Sequence, residues 1–461
     1  MNYFFNKKTN KTKIKVLLSI IIAVGFFLFV NSMIGNDKYK NIKQYFSIEQ
    51  KIIIKKYIFP YTYISELQKQ VDSLSYVNKE LNYKESLKDI EIYKNSKLSN
   101  GMFLERYLLR GFYKGIKYGN PGSGYIDFYD NNMFILSSRG ILGYSKNIND
   151  GKPIKQIKNN INEFIGLGQF KKGNWYSLKD ILIYKDKIFI SYTEELKENC
   201  WNTSLIYGKI DYENIEFKKL FSAKEEDCIH RWRNKDKTFN ANQSGGRIVP
   251  FDDKHVMFTI GDWRQNYLPQ SKESVNGKIL KINIENSGYE FISMGHRNPQ
   301  GLYYDKENNF ILETEHGPVG GDEINLIEVK KINKEKILNY GWPIASYGEH
   351  QPGTPKKQKE KYKKYPLYKS HKKHGFIEPL KSFVPSIGIS EIVKIGQNKY
   401  VASSLKNKSL YFFDLNNEKK ITNLEKVEVF ERVRDLKVRD KKLYLFLEHT
   451  ASLGIINLET N

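Results

Sequence analysis

Residues 295–301 read GHRNPQG, which puts His296, Arg297, Asn298 and Gln300 on one turn. Asn, Pro and Gly favour turns for steric reasons alone, but so many hydrogen-bonding groups in one turn also suit a polar ligand held against a rigid scaffold. A second stretch, ETEHGPVGGDEINLI (313–327), sets Gly317 and Pro318 beside Asp322 and Glu323. A turn fixed by Gly and Pro can aim backbone carbonyls at a hard cation, and calcium accepts carbonyl and carboxylate oxygens alike. A third, SSLKNKSL, places Lys406 at a strand end. In a fourth, ERVRDL, Arg432 and Arg434 alternate by two and so leave one face of a strand. Singly, each has a plainer explanation as a solvated loop or face. Together they describe a cationic pocket with three Arg, one Lys and a calcium seat. A multiply anionic, planar ligand fits it, because guanidinium grips carboxylate bidentately and ammonium adds a point charge.

Strands must hold these groups. From about residue 120 to the end, short alternating runs are separated by tight polar turns, as in YIDFYDNNMFILSSRGILGYS, DILIYKDKIFISYTEEL and LKVRDKKLYLFLEHTASLGIINL. Each is a strand, a turn of Asp, Asn, Lys or Gly, and a second, more apolar strand. Some seven similar hairpins fit the radial repetition of an all-β propeller better than a sandwich or a pair of barrels. Upstream, residues 37 to about 100 lack period-2 alternation, and Leu67, Val71, Leu74 and Val77 fall at helical spacing. A helical stalk or linker is expected over 35–115, before a propeller at 116–461.

The chain of 461 residues carries 75 Lys and Arg against 52 Asp and Glu, a formal charge of +23. The lysines are spread along it with no RNA-binding motif or basic recognition helix, so nucleic acid is not an expected partner. The dense stretch KKQKEKYKKYPLYKSHKKHG (356–375) is expected to be a solvated insertion, with contact to an anionic membrane as its second explanation. Residues 16–34 are nearly all apolar after a basic tail at 1–15, which is long enough to cross a bilayer with the tail inside. An uncleaved anchor is preferred to a removed signal peptide; both export the remainder of the chain. Two cysteines, Cys200 and Cys228, suit one disulfide in an exported chain. His230, His255, His350, His371, His374 and His449 are expected on surfaces or loops, and Trp342 in the core.

In order along the chain, GHRNPQGL, TEHGPVGGDEINLI, NYGWP (339–343), PSIGIS (385–390), SLK (404–406) and RVRD (432–435) resemble the motif series of the glucose/sorbosone dehydrogenase family. These are the pyrroloquinoline quinone-dependent sugar dehydrogenases, six-bladed propellers of the bacterial periplasm. The resemblance covers roughly residues 120–459. It implies hydride transfer from a sugar hydroxyl carbon to the quinone, with calcium as Lewis acid and a general base taking the hydroxyl proton. It places Arg297, Asn298 and Gln300 beside the quinone, and Lys406, Arg432 and Arg434 on its carboxylates. It also sets Asp322 and Ser386 in the cofactor region, and the Gly317 and Pro318 carbonyls on its calcium. Glu323 and the Tyr340 carbonyl resemble a second, structural calcium site. With the anchor, the implied setting is the inner membrane facing the periplasm, with a respiratory electron acceptor. One departure bears on activity. NANQSGGRIV (240–249) keeps Gly245, Gly246 and Arg247 of the family's His-x-Gly-Gly-Arg motif, but Gln243 stands where the base belongs. An amide orients a hydroxyl without taking its proton, leaving His296 or His316 as substitutes, or a propeller that binds without turnover. The stretch SLKDILIYKDKIF (177–189) also lacks the glycines of the family's first-blade signature.

Overall fold

The computed structural model describes residues 90–109, 123–138, 140–165, 178–230, 241–333, 335–350 and 363–459, together with Ile53. The chain divides into two units, Met1–Asp72 and Ser73–Asn461, and the described strands belong to the second.

Among the described residues, six mainly antiparallel sheets make six propeller blades. Blade I holds Gly124–Tyr129, Asn132–Ser137, Leu142–Ser145 and Lys155–Gln156; blade II holds Leu178–Tyr184, Lys187–Lys197, Cys200–Lys209 and Lys218–Phe221. Blade III opens with Gly245–Asp252 and His255–Ile260, blade IV with Pro299–Asp305 and Phe310–Glu315, and blade V with Ile389–Gly396 and Lys399–Ser404. Blade VI is Val433–Arg439, Lys442–Leu447 and Ser452–Asn457. The first strand of each blade touches the first strand of the next, and Val433–Arg439 returns to Gly124–Tyr129, so the ring is closed.

Closure comes from the segment expected to be a stalk. Phe103–Leu108 pairs with the C-terminal strand, Leu104 opposite Ile456 and Leu108 opposite Ser452, and Glu91–Lys97 adds outside it. Residues 91–108 are therefore strands of blade VI, not helix, and the propeller begins well before 116. Their alternation is blurred because the outer strands of a blade are only partly buried: FLERYL hides Leu104 and Tyr107 but leaves Phe103 exposed. The rest of the expected stalk and the apolar segment 16–34 lie outside the described residues. Among those described, no helix is long and apolar enough to cross a membrane.

Alternate residues of each strand pack against the neighbouring blade. Phe189 and Leu205 of blade II meet Phe258 and Leu280 of blade III in one fully buried cluster, a non-directional hold proportional to apolar area. Polar ties join the inner strands as well. Arg247 donates Nη1 to Asp180 at 2.7 Å and to Asp435 at 2.8 Å, and its Nε lies 2.6 Å from Glu391, so one guanidinium links blades II, III, V and VI. Cys200 and Cys228 form the expected disulfide.

Candidate active site

The inner strand ends surround a cavity of about 310 Å³. Blade III supplies Gln243 and Arg247, and the turn into blade IV supplies Arg297, Asn298 and Gln300. Blade VI supplies Arg432 and Arg434, blade II Lys179, and blade I Ser123 and Tyr125. Residues far apart in sequence meet because the first strand of every blade runs along the same axis.

Gln243 sits in a left-handed backbone conformation, φ +65°, just before the paired glycines. No side chain fits there beside it: a Cβ on Gly261 would fall 2.0 Å from the Gln243 carbonyl, so strand and turn pass in contact. With its amide oriented by its partners, Gln243 donates to Asp262 Oδ1 at 2.8 Å and accepts from Arg297 Nη2 at 2.8 Å. Asp262 is fully buried and also accepts from Arg264 N and Trp342 Nε1, each at 2.8 Å. Burial pushes its carboxyl up to about 6, although Arg297 pulls the other way.

Arg297 lies 5.3 Å over the Trp342 ring and donates Nη1 to the carbonyls of His316, 2.9 Å, and Gly317, 2.5 Å. The carbonyl assigned to calcium by resemblance thus already faces a cation. Trp342 is in the core as expected, and it also braces Arg297 and Asp262. Asp322 pins the loop: its carboxylate accepts from the backbone N–H of Gly317, Gly388 and Ile389. Pro318 packs against Gly348, where a Cβ would come within 2.7 Å of its ring.

Asn298 Oδ1 accepts from Gly245 N and from Gln300 Nε2, while its Nδ2 lies 3.2 Å from His316 Nδ1. His316 Nε2 is 2.5 Å from the Ile389 carbonyl, so it is the protonated nitrogen and Nδ1 accepts from Asn298. Burial holds this imidazole below its usual range. His316 lines the cavity, yet both its nitrogens are engaged. His296 does not line it; its ring is fully buried between Ser293 Oγ, 2.8 Å, and Glu315 Oε1, 3.3 Å.

Arg432 and Arg434 share one buried carboxylate, donating Nε to Glu448 Oε2 at 2.7 Å and Oε1 at 2.6 Å. Burial alone would raise Glu448, but the two guanidinium groups hold it below the usual carboxylate range. Arg434 Nη1 also donates to Gln300 Oε1 at 3.1 Å. Burial, with Arg434 nearby, draws Lys179 down to about 7. Ser386 Oγ is buried without a hydrogen-bond partner. Lys406 is exposed and outside the cavity wall, which its neighbour Leu405 lines; anything Lys406 holds approaches from solvent.

Four site residues were not legible as such: Lys179, Asp262, Glu448 and Tyr125. Glu448 carried a signal, a carboxylate ending the apolar run LYLFL, since a charge in a core strand is buried only with a partner. Nothing in one sequence marks Asp262.

The residues fit a polyanionic quinone. Two arginines share a single carboxylate, a lysine stands nearby, and an orphaned hydroxyl lies at Ser386. The Gly317 carbonyl expected on the cofactor's calcium accepts instead from Arg297 here, and the Glu323 carboxylate, an oxygen of the kind calcium takes, belongs to the second site expected from the resemblance and lies off the main cavity.

Residues 178–455 match the sequence profile of the Glucose / Sorbosone dehydrogenase family. Aldose sugar dehydrogenase YliI of Escherichia coli (strain K12) is 30% identical over 195 residues, 38% of this chain and 48% of that protein, so the match spans about half its length. The crystal structure of the soluble aldose sugar dehydrogenase from Escherichia coli in the apo form superposes with a TM-score of 0.55 at 22% identity, over 72% of this chain and 95% of that one. The PQQ-bound form of the aldose sugar dehydrogenase from Streptomyces coelicolor gives 0.53 at 16% identity, over 77% and 98%. At these identities the structures speak to the shared fold.

Proposed function

Because the chain belongs to the glucose/sorbosone dehydrogenase family, we propose that it is a quinone-dependent sugar oxidoreductase whose proton-transfer step is impaired by Gln243. The observation that carries this reading is the cationic wall of the cavity: Arg432 and Arg434 have one carboxylate between them, with Lys179 and Arg297 facing the same space. Such a wall is costly to bury without an anion. Pyrroloquinoline quinone, when bound with calcium, supplies the hydride acceptor and the Lewis acid.

The chain's own residues do the rest. Arg432, Arg434 and, from the solvent side, Lys406 hold carboxylates. Arg297, Asn298 and Gln300 orient the ligand's polar edge, and Asp322 keeps the Gly317–Pro318 loop in place. Gln243 positions a sugar hydroxyl without accepting its proton. Loss of a general base costs about 10²- to 10⁴-fold, so slow turnover is expected.

The second reading is a propeller that binds a sugar, a polyanion or a partner protein without redox chemistry. It is favoured by one contact pattern: both ends of the Gln243 amide are occupied, by Asp262 and Arg297. Dye reduction by the full chain, loaded with quinone and Ca²⁺ and offered a panel of aldoses, separates the two. Slow reduction by at least one sugar supports the oxidoreductase; quinone binding with no reduction by any sugar supports the binding propeller. Export on an N-terminal anchor at 16–34, into a periplasm with a respiratory acceptor, belongs to the same proposal. It rests on the apolar run and its basic flank.

A further inference from the structure

Loops at the cavity end of blades IV, V and VI form one continuous ridge along the mouth. Val319 follows the cavity residue His316, and a Cβ on its neighbour Gly320 would meet Val384 Cγ1 at 3.4 Å. From Val384 the chain runs to Ile387, whose carbonyl accepts from Lys406 N and Asn407 N at 3.0 Å, beside Leu405 of the cavity wall. The Lys408 carbonyl in turn accepts from Val429 N and Phe430 N at 3.0 Å, just before Arg432 of the cavity wall.

Three large apolar side chains project from this ridge into solvent: Phe430 is 67% exposed, Val384 65% and Val319 45%. Gathered in one place, such side chains mark a contact surface. Phe430 carries a second sign. Its backbone is left-handed at φ +62°, as is that of Lys408 at φ +52°. A bulky residue in that region is an outlier, and strain of this kind persists where a fixed geometry serves a function.

The ridge is also basic. Lys408 lies on it, half-buried, and the Lys-rich insertion joins it at Val319, which exchanges backbone hydrogen bonds with Glu349. Glu349 is itself paired with Lys369 at 2.8 Å. His371 fastens the insertion. Contrary to the surface expectation its ring is 1% exposed, because it stacks on Tyr347 and is held by backbone groups of Tyr340 and Ile377. Lys372 and Lys373 beside it stay in solvent. Apolar tips on separate loops, flanked by lysines, match an anionic lipid surface: the tips enter the acyl boundary while the ammonium groups meet phosphates. A folded acidic partner calls instead for a continuous, closely complementary face.

We propose that this ridge docks the cavity mouth on an anionic bilayer, with Val319, Val384 and Phe430 inserted and Lys372, Lys373 and Lys408 at the headgroups. An electron acceptor dissolved in the lipid then lies beside the mouth. Docking does not depend on the quinone reading, and its test uses neither quinone nor sugar.

The chain's two cysteines are joined to each other, so Val384→Cys and Phe430→Cys each offer a unique site for an environment-sensitive fluorophore. Asp440→Cys, in the blade VI turn at the end away from the cavity, is the control. The labelled full chain is reconstituted into vesicles of phosphatidylcholine, alone or mixed with phosphatidylglycerol, that carry a nitroxide lipid as quencher. The expected result is strong quenching at 384 and 430 and little at 440 when phosphatidylglycerol is present. It should be lost at about 1 M salt, where the screening length falls to about 3 Å. Each lysine near an anionic surface is worth about a fivefold shift in the docked population, so Lys372→Glu, Lys373→Glu and Lys408→Glu together should remove the quenching. Quenching at 384 and 430 no stronger than at 440, equal with and without phosphatidylglycerol, or unchanged in the triple variant would overturn the proposal.

Discussion

Gln243 and Asp262 are joined by a 2.8 Å hydrogen bond in which the amide, oriented by its partners, donates to a fully buried carboxylate. A carboxylate so placed would orient and support a basic imidazole at position 243; here it supports an amide. Gln243→His should therefore raise sugar-dependent dye reduction by about 10²- to 10⁴-fold, the usual worth of a general base. The rate should climb with pH as the new imidazole loses its proton. Steady-state kinetics across pH on wild type and variant measure both effects, and an unchanged rate in a folded variant would show that position 243 does not limit turnover.

The Arg432–Glu448–Arg434 triad sets a trade between stability and anion binding. Glu448 is fully buried and holds both guanidinium groups. Glu448→Gln should cost about 3–5 kcal/mol of stability, because removing one partner leaves buried charge uncompensated. The same change should tighten binding of any polycarboxylate in the cavity. Urea unfolding and ligand titration of the one variant test both directions.

The Arg247 hub makes stability fall as pH rises. Burial and mutual repulsion push the carboxyls of Asp180 and Glu391 above the usual range, to about 7 and about 8, against the pull of Arg247. In the unfolded chain both would release their protons near pH 4. Between about pH 4 and 8 the folded state thus holds protons that the unfolded state has lost, and stability declines by up to about 1.4 kcal/mol per pH unit for each retained proton. Glu391→Gln should flatten that decline and cost little, since it replaces a carboxyl that is already largely protonated. Arg247→Met should cost about 3–5 kcal/mol. Unfolding free energies for the three proteins across this pH range would show the effect.

The disulfide closes a loop between residues 28 apart in blade II. Chain-entropy loss of the unfolded state makes such a link worth about 2–4 kcal/mol. Cys200→Ser with Cys228→Ser should lower Tm accordingly and leave ligand binding in the cavity intact, because neither cysteine lines it.

Much of this was legible from local pattern. The hairpins of blades I to VI follow from alternation and turn residues, and Arg297, Asn298 and Gln300 of GHRNPQG line the cavity. The failures have one physical origin. Strands 91–108 complete a sheet whose other members lie some 340 residues away, so their pairing leaves little trace in their own sequence. Lys179 and Asp262 take their setting from groups distant in sequence, the repelling Arg434 of another blade and Gln243 of another turn, and Glu448 takes its setting from the Arg432–Arg434 pair across its own blade. His371 looked solvated because its neighbours are lysines, yet one stacked tyrosine and one glutamate bury it.

Whether the cationic cavity holds a polyanionic quinone is tested most directly by titrating the calcium-loaded full chain with pyrroloquinoline quinone. One quinone per chain is expected, with affinity falling roughly 10- to 100-fold in Arg434→Met, the worth of a hydrogen bond to a charged group. No binding by the wild type, or an affinity unchanged in a folded Arg434→Met, would contradict it.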